Sequence, residues 1–372
     1  MIRETIVLQP CAPGVTHSLQ VLRFGSGLQG PKAYLQAALH ADEVPAMLVA
    51  RELAALLEGL EARGALRGEI VVVPFANPIG LAQIQLGQQE GRFDLRDGVN
   101  FNRGYPELGQ QVASELQAQL GGDPAANTQR IRSALRAAVH RMTACGTTQD
   151  LKKRLLQLAI DADVVLDLHC DTDAVMHVYG MTPQEPLLTQ LGADLGAQAA
   201  LLATEAGDSP FDEACARPWL VLRELFPQHA IDLACFGATV ELRGERDTAH
   251  ALASQDAQAL CRFLTRRGVI AEEVPIAPAV PQCDATPLAA SEPITAPHAG
   301  VVVFHRQPGD RVQAGDVIAE IVEPASGMVS AVRCESDGLL YARCALRWAT
   351  PGKRLAKIAG TRLARTGKLL SP

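Results

Sequence analysis

Residues 33–59, AYLQAALHADEVPAMLVARELAALLEG, decide the fold of this chain. The stretch opens as a short apolar strand, turns at His40–Glu43, and continues as a helix whose apolar residues recur at helical spacing. Pro45 suits the first turn of that helix, where its missing N–H costs no hydrogen bond. The turn therefore places an imidazole and a carboxylate at the carboxyl end of a strand, which is where open α/β sheets bind ligands.

The pair His40 and Glu43 has two interpretations. Nitrogen and oxygen donors three residues apart can bind one zinc ion. Alternatively, the pair is a chance His-x-x-Glu at a helix start, where Asp42 or Glu43 caps exposed N–H groups. Two ligands do not make a site, so the rest of the chain has to decide.

Length and charge exclude some classes of protein. A chain of 372 residues is long enough for two domains with a substantial core. The net charge of -7, without a Lys/Arg cluster that aromatic residues interrupt, argues against a nucleic acid as partner.

The sequence also predicts the compartment. No window approaches the roughly 18 to 20 apolar residues of a membrane span, so no membrane partner is expected. The start MIRETIVLQP lacks the charged-then-apolar layout of a signal peptide. The nine cysteines are scattered singly without a C-x-x-C pair, which predicts reduced thiols in a cytoplasmic protein.

Strand and helix patterns alternate over the first three quarters of the chain. Helices are predicted from the turn after His40 to about Gly59, over 110–159 with breaks near 121–124 and 146, and over His250–Arg267. Strands are predicted at Thr5–Leu8, Leu19–Phe24, Ala33–Leu39, Glu69–Pro74, Val164–Leu168 and Ala238–Leu242. This alternation indicates an α/β fold, a sheet covered by helices.

A change in composition divides the chain. Val274–Pro293 contains five prolines and is interpreted as a linker without regular structure. It would separate a catalytic domain, residues 1–273, from a smaller all-β domain, residues 294–372. Short strands are predicted in that second domain at Gly300–Phe304, Val317–Val322 and Leu339–Cys344, with turn residues between them.

A second histidine strengthens the zinc interpretation. His169 follows the buried strand Val164–Leu168, the same kind of sheet position as His40. Asp167 is two residues before it and shares its face on an extended strand. A histidine at a strand end is ordinarily satisfied within the core. Three protein ligands plus an open position, however, are the pattern of catalytic zinc.

Glu241 is the candidate general base. It lies within the apolar segment Ala238–Leu242, where a carboxylate is costly unless it is paired or functional. Water activated by zinc has to lose a proton, and a carboxylate is the usual acceptor. The simpler interpretation is an ion pair with Arg243, Arg246 or another arginine.

Three arginines in one loop segment are candidate anion binders. Arg92, Arg96 and Arg103 lie close together in sequence, and Asn102 adds an amide donor. Guanidinium groups match carboxylates and developing oxyanions in geometry and charge. For each arginine singly, solvation at the surface is the usual role.

Four motifs together resemble the succinylglutamate desuccinylase/aspartoacylase family, within the zinc carboxypeptidase-like superfamily. They are HADE at His40–Glu43, NFNR at Asn100–Arg103, DLHCD at Asp167–Asp171 and VELRG at Val240–Gly244. The resemblance implies a mixed sheet flanked by helices. It also implies zinc bound by three residues, namely His40, Glu43 and His169. Glu241 would be the general base, Asn102 and Arg103 would hold a substrate carboxylate, and an upstream arginine would polarise the scissile carbonyl.

The chain departs from the family pattern at three places. Ala41 stands where many relatives have glycine, a small change that should leave the ligands in place. Asn100 stands where carboxypeptidases have aspartate, which leaves the partner that orients the histidine open. Arg92 and Arg96 could each be the upstream arginine. Arg92 is favoured because Gly91-Arg92-Phe93 is closer to the relatives, and Arg96 is kept as a substrate-binding candidate.

The C-terminal segment resembles a biotinyl/lipoyl-type barrel-sandwich. A carrier of that type needs a lysine at its hairpin tip, but residues 324–331 contain none, so a swinging-arm role is not expected. In the resembled family, such a domain lies beside the active site and restricts access to small substrates.

The sequence thus predicts a zinc-dependent amidohydrolase that removes an acyl group from a small N-acylated amino acid or related carboxylate. A metallocarboxypeptidase and a non-catalytic adaptor of the same fold are the alternatives. The sequence leaves the acyl group, the amine and the oligomeric state open, and a homo-oligomer is compatible with it.

Overall fold

A computed structural model describes residues 1–272, 276–363 and 365–369. The helices among them are α1 (Pro45–Ala62), α2 (Pro78–Leu81), α3 (Leu108–Leu116), α4 (Pro124–Arg141), α5 (Thr147–Ala159), α6 (Glu185–Leu195), α7 (Phe211–Leu225) and α8 (His250–Arg266). Two short 3-10 helices cover Thr182–Gln184 and Leu288–Ala290. None of the described helices is long and apolar enough to cross a membrane.

A nine-stranded mixed sheet forms the centre of the larger part of the molecule. Its strands are β1 (Ile2–Val7), β2 (Ser18–Phe24), β3 (Ala33–Ala37), β4 (Ile70–Val73), β7 (Val164–Asp171), β9 (His177–Met181), β10 (Ala199–Ala203), β11 (Phe236–Gly244) and β12 (Ala285–Pro287). They are arranged in the order β1-β2-β4-β3-β7-β11-β9-β10-β12. Within this sheet, the pairs β4–β3, β3–β7 and β7–β11 are parallel. The pairs β1–β2, β2–β4 and β11–β9 are antiparallel.

Helices cover both faces of this sheet because successive strand residues point to opposite sides. On β3, Leu35 and Ala37 pack into the core beneath α1, α6 and α8, and Tyr34 packs into the core beneath α3, α4, α5 and α7. The predicted α/β class, a mixed sheet flanked by helices, is confirmed. The predicted breaks of the 110–159 helical region also correspond to the gaps between α3, α4 and α5.

Two strand predictions need correction. β3 ends at Ala37, two residues early, because Ala38 adopts a left-handed backbone with φ of 56°. β7 continues to Asp171, so His169 lies inside the strand rather than after it. The extension follows from pairing with β11, which continues alongside β7 past His169.

The C-terminal region is a separate antiparallel β structure. One of its sheets has the order β13-β20-β18-β15 and the other β17-β16-β14-β19, around a shared apolar core. Its strands are β13 (Ser291–Thr295), β14 (Gly300–Phe304), β15 (Arg311–Val312), β16 (Val317–Val322), β17 (Val329–Arg333), β18 (Gly338–Arg343), β19 (Trp348–Ala349) and β20 (Arg354–Gly360). A short hairpin, β5 (Ile84–Gln85) and β6 (Gln88–Gln89), lies in the loop after α2.

The interpretation of Val274–Pro293 as a segment without regular structure is wrong for its second half. Residues 285–287 form β12 at the edge of the large sheet, and Ser291 begins β13. Proline is tolerated at a sheet edge because no N–H is required on the outer side. Glu273, Val274 and Pro275 lie outside the described residues. The division into domains at 273 and 294 stays a prediction.

The α/β region and the C-terminal β region contact each other just after β7, the strand that carries His169. A two-residue strand, β8 (Asp173–Ala174), pairs with β18, and the Val175 amide donates to the Tyr341 carbonyl at 3.0 Å. Arg343 Nε donates to Asp173 Oδ2 at 2.7 Å. The C-terminal β region is therefore fixed against the carboxyl end of the central strands.

Candidate active site

Strand register brings the predicted site residues to one edge of the sheet. In the parallel pair β3–β7, Ala37 aligns with Leu168, so His40 and His169 emerge at the same end. In the parallel pair β7–β11, His169 aligns with Glu241. Directly paired residues on parallel strands point to the same face, which places Glu241 beside His169.

The turn after β3 is shaped by close backbone packing. The Ala41 amide donates to the Gly91 carbonyl at 3.1 Å. A Cβ atom added at Gly91 would lie 2.1 Å from the Asp42 nitrogen, so only glycine fits there. This contact places Arg92, the next residue, against the His40–Glu43 turn.

Glu43 does not cap the helix that follows it. The N-cap of α1 is Val44, which makes no side-chain capping bond, and Pro45 occupies the first turn. The capping interpretation of the His-x-x-Glu pair is therefore wrong. The Glu43 carboxylate points instead to the two imidazoles.

His40, Glu43 and His169 form a buried cluster. Glu43 Oε1 lies 3.0 Å from His40 Nδ1, and Glu43 Oε2 lies 2.6 Å from His169 Nδ1. One ligand atom from each of the three residues lies within 4.8 Å of the others. The three residues are between 2% and 6% exposed, so these contacts are largely shielded from solvent.

Both imidazoles are oriented by hydrogen-bond acceptors at Nε2, the ring nitrogen that points away from Glu43. His40 Nε2 lies 3.0 Å from Asn100 Oδ1, and His169 Nε2 lies 2.9 Å from Asp167 Oδ2. Because the Asn100 oxygen accepts and Arg92 lies beside Nδ1, His40 carries its proton on Nε2 and directs its Nδ1 lone pair at the cluster. His169 lies between two carboxylates, so both of its ring nitrogens carry a proton. Asn100 is thus the orienting partner that the sequence left open.

The pKa values follow from this geometry. Burial and the Arg92 guanidinium lower the pKa of His40 to about 4, so this imidazole is neutral. Burial alone would raise the pKa of Glu43, but His169 and His40 hold it well below the usual carboxyl range. Burial also opposes the charged form of His169, yet Asp167 and Glu43 raise its pKa well above the usual value.

The donor set fits a divalent metal ion. Catalytic metal sites typically have two imidazole nitrogens and one carboxylate as ligands. They also typically have a hydrogen-bond acceptor at the second nitrogen of each imidazole. The buried Glu43 carboxylate also requires positive charge beside it. A metal ion would supply that charge in place of the proton that His169 now shares.

Glu241 lies in the cavity in front of this cluster. Its Oε2 atom is buried and has no hydrogen-bond partner among the described residues. Burial and the nearby charge of Glu43 raise the pKa of Glu241 to about 8. Arg243, one of the ion-pair partners that the simpler interpretation offered, instead pairs with Asp256.

The structure distinguishes the two upstream arginines. Arg92 lines the cavity, and its guanidinium lies 3.1 Å from His40 Nδ1 and 3.5 Å from Glu43 Oε1. Arg96 lies outside the cavity and pairs with the buried Asp94 at 2.6 Å. The structure therefore does not bring Arg96 to the site, contrary to the prediction that it binds substrate.

Asn102 and Arg103 both line the cavity, but they make different hydrogen bonds. Asn102 Nδ2 lies 3.4 Å from Asp167 Oδ2, and its Oδ1 accepts from the Phe211 amide at 2.8 Å. Arg103 Nη1 donates to the Asn102 carbonyl at 2.7 Å. The Asn102 amide thus supports the cluster, and its contact with substrate remains a prediction.

The cavity is about 350 Å³ and is lined by both regions of the chain. The C-terminal β region contributes Arg343, Arg354 and Lys357, and Lys357 forms an ion pair with Asp171 of β7. These cations and the acidic residues of α7 were not among the predicted site residues. Lys357 interrupts an apolar strand just as Glu241 does, which was the available signal.

An α/β sheet that carries two oriented histidines, a bridging glutamate and a half-buried second glutamate at its strand ends defines a candidate metallohydrolase. Residues 29–266, more than half of the chain, match the succinylglutamate desuccinylase/aspartoacylase catalytic domain. The chain belongs to the succinylglutamate desuccinylase/aspartoacylase family, a family of hydrolases. No curated protein matches the chain.

Solved structures resemble the whole chain. A protein of this family from Shewanella amazonensis SB2B is 26% identical with a TM-score of 0.83, over 96% of this chain and 98% of that one. A second, from Shewanella frigidimarina NCIMB 400, is 25% identical with a TM-score of 0.83, over 96% and 97%. The ectoine utilization protein EutE (DoeB) from Ruegeria pomeroyi, 17% identical over 97% and 95% with a TM-score of 0.66, shares the fold.

Substitution of Asn100 tests the orientation of His40. Asn100→Ala removes the acceptor of the His40 Nε2 proton, so the affinity for Zn²⁺ should fall about 10- to 100-fold. Competition with a chromophoric chelator measures this affinity. Gln110→Ala, at an exposed residue, is the control and should bind as the unmodified protein does. An unchanged affinity in Asn100→Ala would mean that Asn100 does not orient the ligand.

Proposed function

We propose that this protein is a zinc-dependent deacylase that hydrolyses the amide bond of small N-acylated amino acids or related carboxylates. The observation that carries the proposal is the buried His40–Glu43–His169 cluster, which lines the same cavity as the Glu241 carboxylate. Family membership supports the hydrolase class.

Zinc is the metal that this donor set suits best. His40 Nδ1, His169 Nδ1 and the Glu43 carboxylate would hold it, since two imidazoles and a glutamate are a known catalytic zinc set. When bound, the ion supplies a Lewis acid that polarises a carbonyl and lowers the pKa of water. Its charge would also favour the ionised, proton-accepting form of Glu241.

Three side chains around the cluster have separate roles in the reaction. Glu241 accepts the proton of the attacking water and returns it to the leaving amine, because its carboxylate lines the same cavity as the cluster. Arg92, beside His40 and Glu43, donates to the carbonyl oxygen as negative charge develops there. Arg103 holds the carboxylate of the substrate through its planar guanidinium.

The size and walls of the cavity favour a small substrate. Residues of the C-terminal β region line one side, so the site does not lie on an open surface. A metallocarboxypeptidase has to admit a peptide chain there, which makes that alternative less well supported. A non-catalytic adaptor has no need of such a cluster or of a half-buried glutamate in the same cavity, which supports the enzyme over the adaptor.

Substitution of Glu241 tests the proposal most simply. Glu241→Gln keeps the shape but cannot accept a proton, so kcat should fall by roughly two or more decades while zinc content stays unchanged. The assay screens N-acetyl, N-succinyl and N-formyl amino acids for release of the free amine, with C-terminal peptides as comparison.

The control is Glu185→Gln, which changes an exposed glutamate of α6 and should retain full kcat. Loss of zinc from Glu241→Gln would instead make Glu241 a ligand. Release of C-terminal amino acids from peptides, without deacylation, would replace the deacylase by a carboxypeptidase. No turnover of either class would favour the adaptor.

A second variant tests whether Arg103 holds the substrate carboxylate. Arg103→Lys loses the bidentate fork of the guanidinium. The resulting fall in kcat/KM for an N-acyl amino acid should correspond to a loss of roughly one to three kcal/mol of transition-state stabilisation. The matching N-acyl amino acid amide has no carboxylate and should lose little further. Steady-state kinetics on both compounds decide, and equal losses on acid and amide would make Arg103 structural.

A further inference from the structure

Two buried carboxylates line the cavity on the side of α7. Asp212 and Glu213 occupy the first turn of that helix and are only 7% and 8% exposed. Acidic residues are common at helix N-termini because the helix dipole favours them, but an exposed position serves that purpose equally well. Burial of both carboxylates at a cavity wall therefore calls for a different explanation.

Asp212 is the carboxylate whose bonding is incomplete. Its Oδ1 atom is buried and has no hydrogen-bond partner in the described part of the chain. Glu213, by contrast, accepts from the Ala206 amide at 3.0 Å and lies 3.8 Å from Arg217 Nε. Burial and the neighbouring Asp167 raise the pKa of Asp212 to about 6, because both disfavour its charged form.

The surroundings of Asp212 indicate which part of a substrate it would meet. Arg103, proposed above to hold the substrate carboxylate, lies close enough to interact electrostatically with Asp212. The carboxylate belongs to the amino acid half of an N-acyl amino acid. The strand residues Gly180, Ala203 and Thr239 line the same cavity with small side chains, which leaves room for a short chain of methylene groups.

On the basis of the proposed deacylase function, we propose that Asp212, with Glu213 beside it, binds a positively charged side chain on the amino acid half of the substrate. The preferred substrates would then be Nα-acyl derivatives of diamino acids. The alternative is that Asp212 serves only as a counter-charge for Arg103. That role would affect every carboxylate substrate equally.

A pair of isosteric substrates separates these two roles. Nα-acetyl-L-ornithine and N-acetyl-L-norleucine differ by an ammonium group in place of a methyl group. The unmodified protein should favour the ornithine compound in kcat/KM by about tenfold or more, because a desolvated charge pair strongly discriminates. Asp212→Asn should lower the ornithine-to-norleucine ratio about tenfold. Glu224→Gln, an exposed carboxylate on the same helix, should leave this ratio unchanged.

Equilibrium binding of the free amino acids gives a readout that needs no turnover. L-ornithine should bind more tightly than L-norleucine in calorimetry, and Asp212→Asn should abolish the difference. Deacylation with equal kcat/KM and equal binding of the two side chains would overturn the cationic subsite and leave the proposed function intact. Tighter binding of ornithine without any deacylation would support the subsite and refute the deacylase. Equal binding without turnover would overturn both.

Discussion

The Glu43 carboxylate between two imidazoles is the interaction on which the site depends. A buried carboxylate is strongly unfavourable unless positive charge or hydrogen-bond donors meet both oxygens. Here one oxygen faces His40 and the other faces His169. This requirement fixes the turn after β3 relative to β7, since movement of either histidine would leave one Glu43 oxygen with only its longer contact to Arg92 or to the Cys170 amide.

The supports of this interaction extend outward in layers. Asn100 contacts Nε2 of His40, and Asp167 contacts Nε2 of His169. Asn100 and Asp167 in turn accept hydrogen bonds from other residues. Gln36 donates to Asp167 at 2.9 Å, and Lys152 donates to the Asn100 carbonyl at 3.1 Å. Such outer partners set the tautomer and orientation of the ligands. The sheet thus supplies a preorganised set of donors.

Much of the site was predictable because its residues carry a local signal. His40 and Glu43 follow a strand at ligand spacing, and Glu241 is a carboxylate inside an apolar run. The choice between Arg92 and Arg96 had weaker support. Both lie in one loop, and only the fold reveals that Arg96 is already paired with Asp94.

Other features could not be predicted because their signal is not local. The roles of Lys357 and Asp212 arise from contacts with distant elements, and a single charge in a strand or first helical turn is ambiguous. Proline content predicted a linker but could not reveal that residues 285–287 pair at a sheet edge. Asn100 was recognised as a departure, but its bond to His40 required the folded loop.

Anomalous diffraction above and below the zinc absorption edge, on crystals grown with Zn²⁺, tests the central claim most directly. It locates the ion independently of any assay of activity. The account predicts one strong peak per chain, in contact with His40, Glu43 and His169 and facing Glu241. A fully occupied zinc ion bound elsewhere, with no peak between these three side chains, would contradict it.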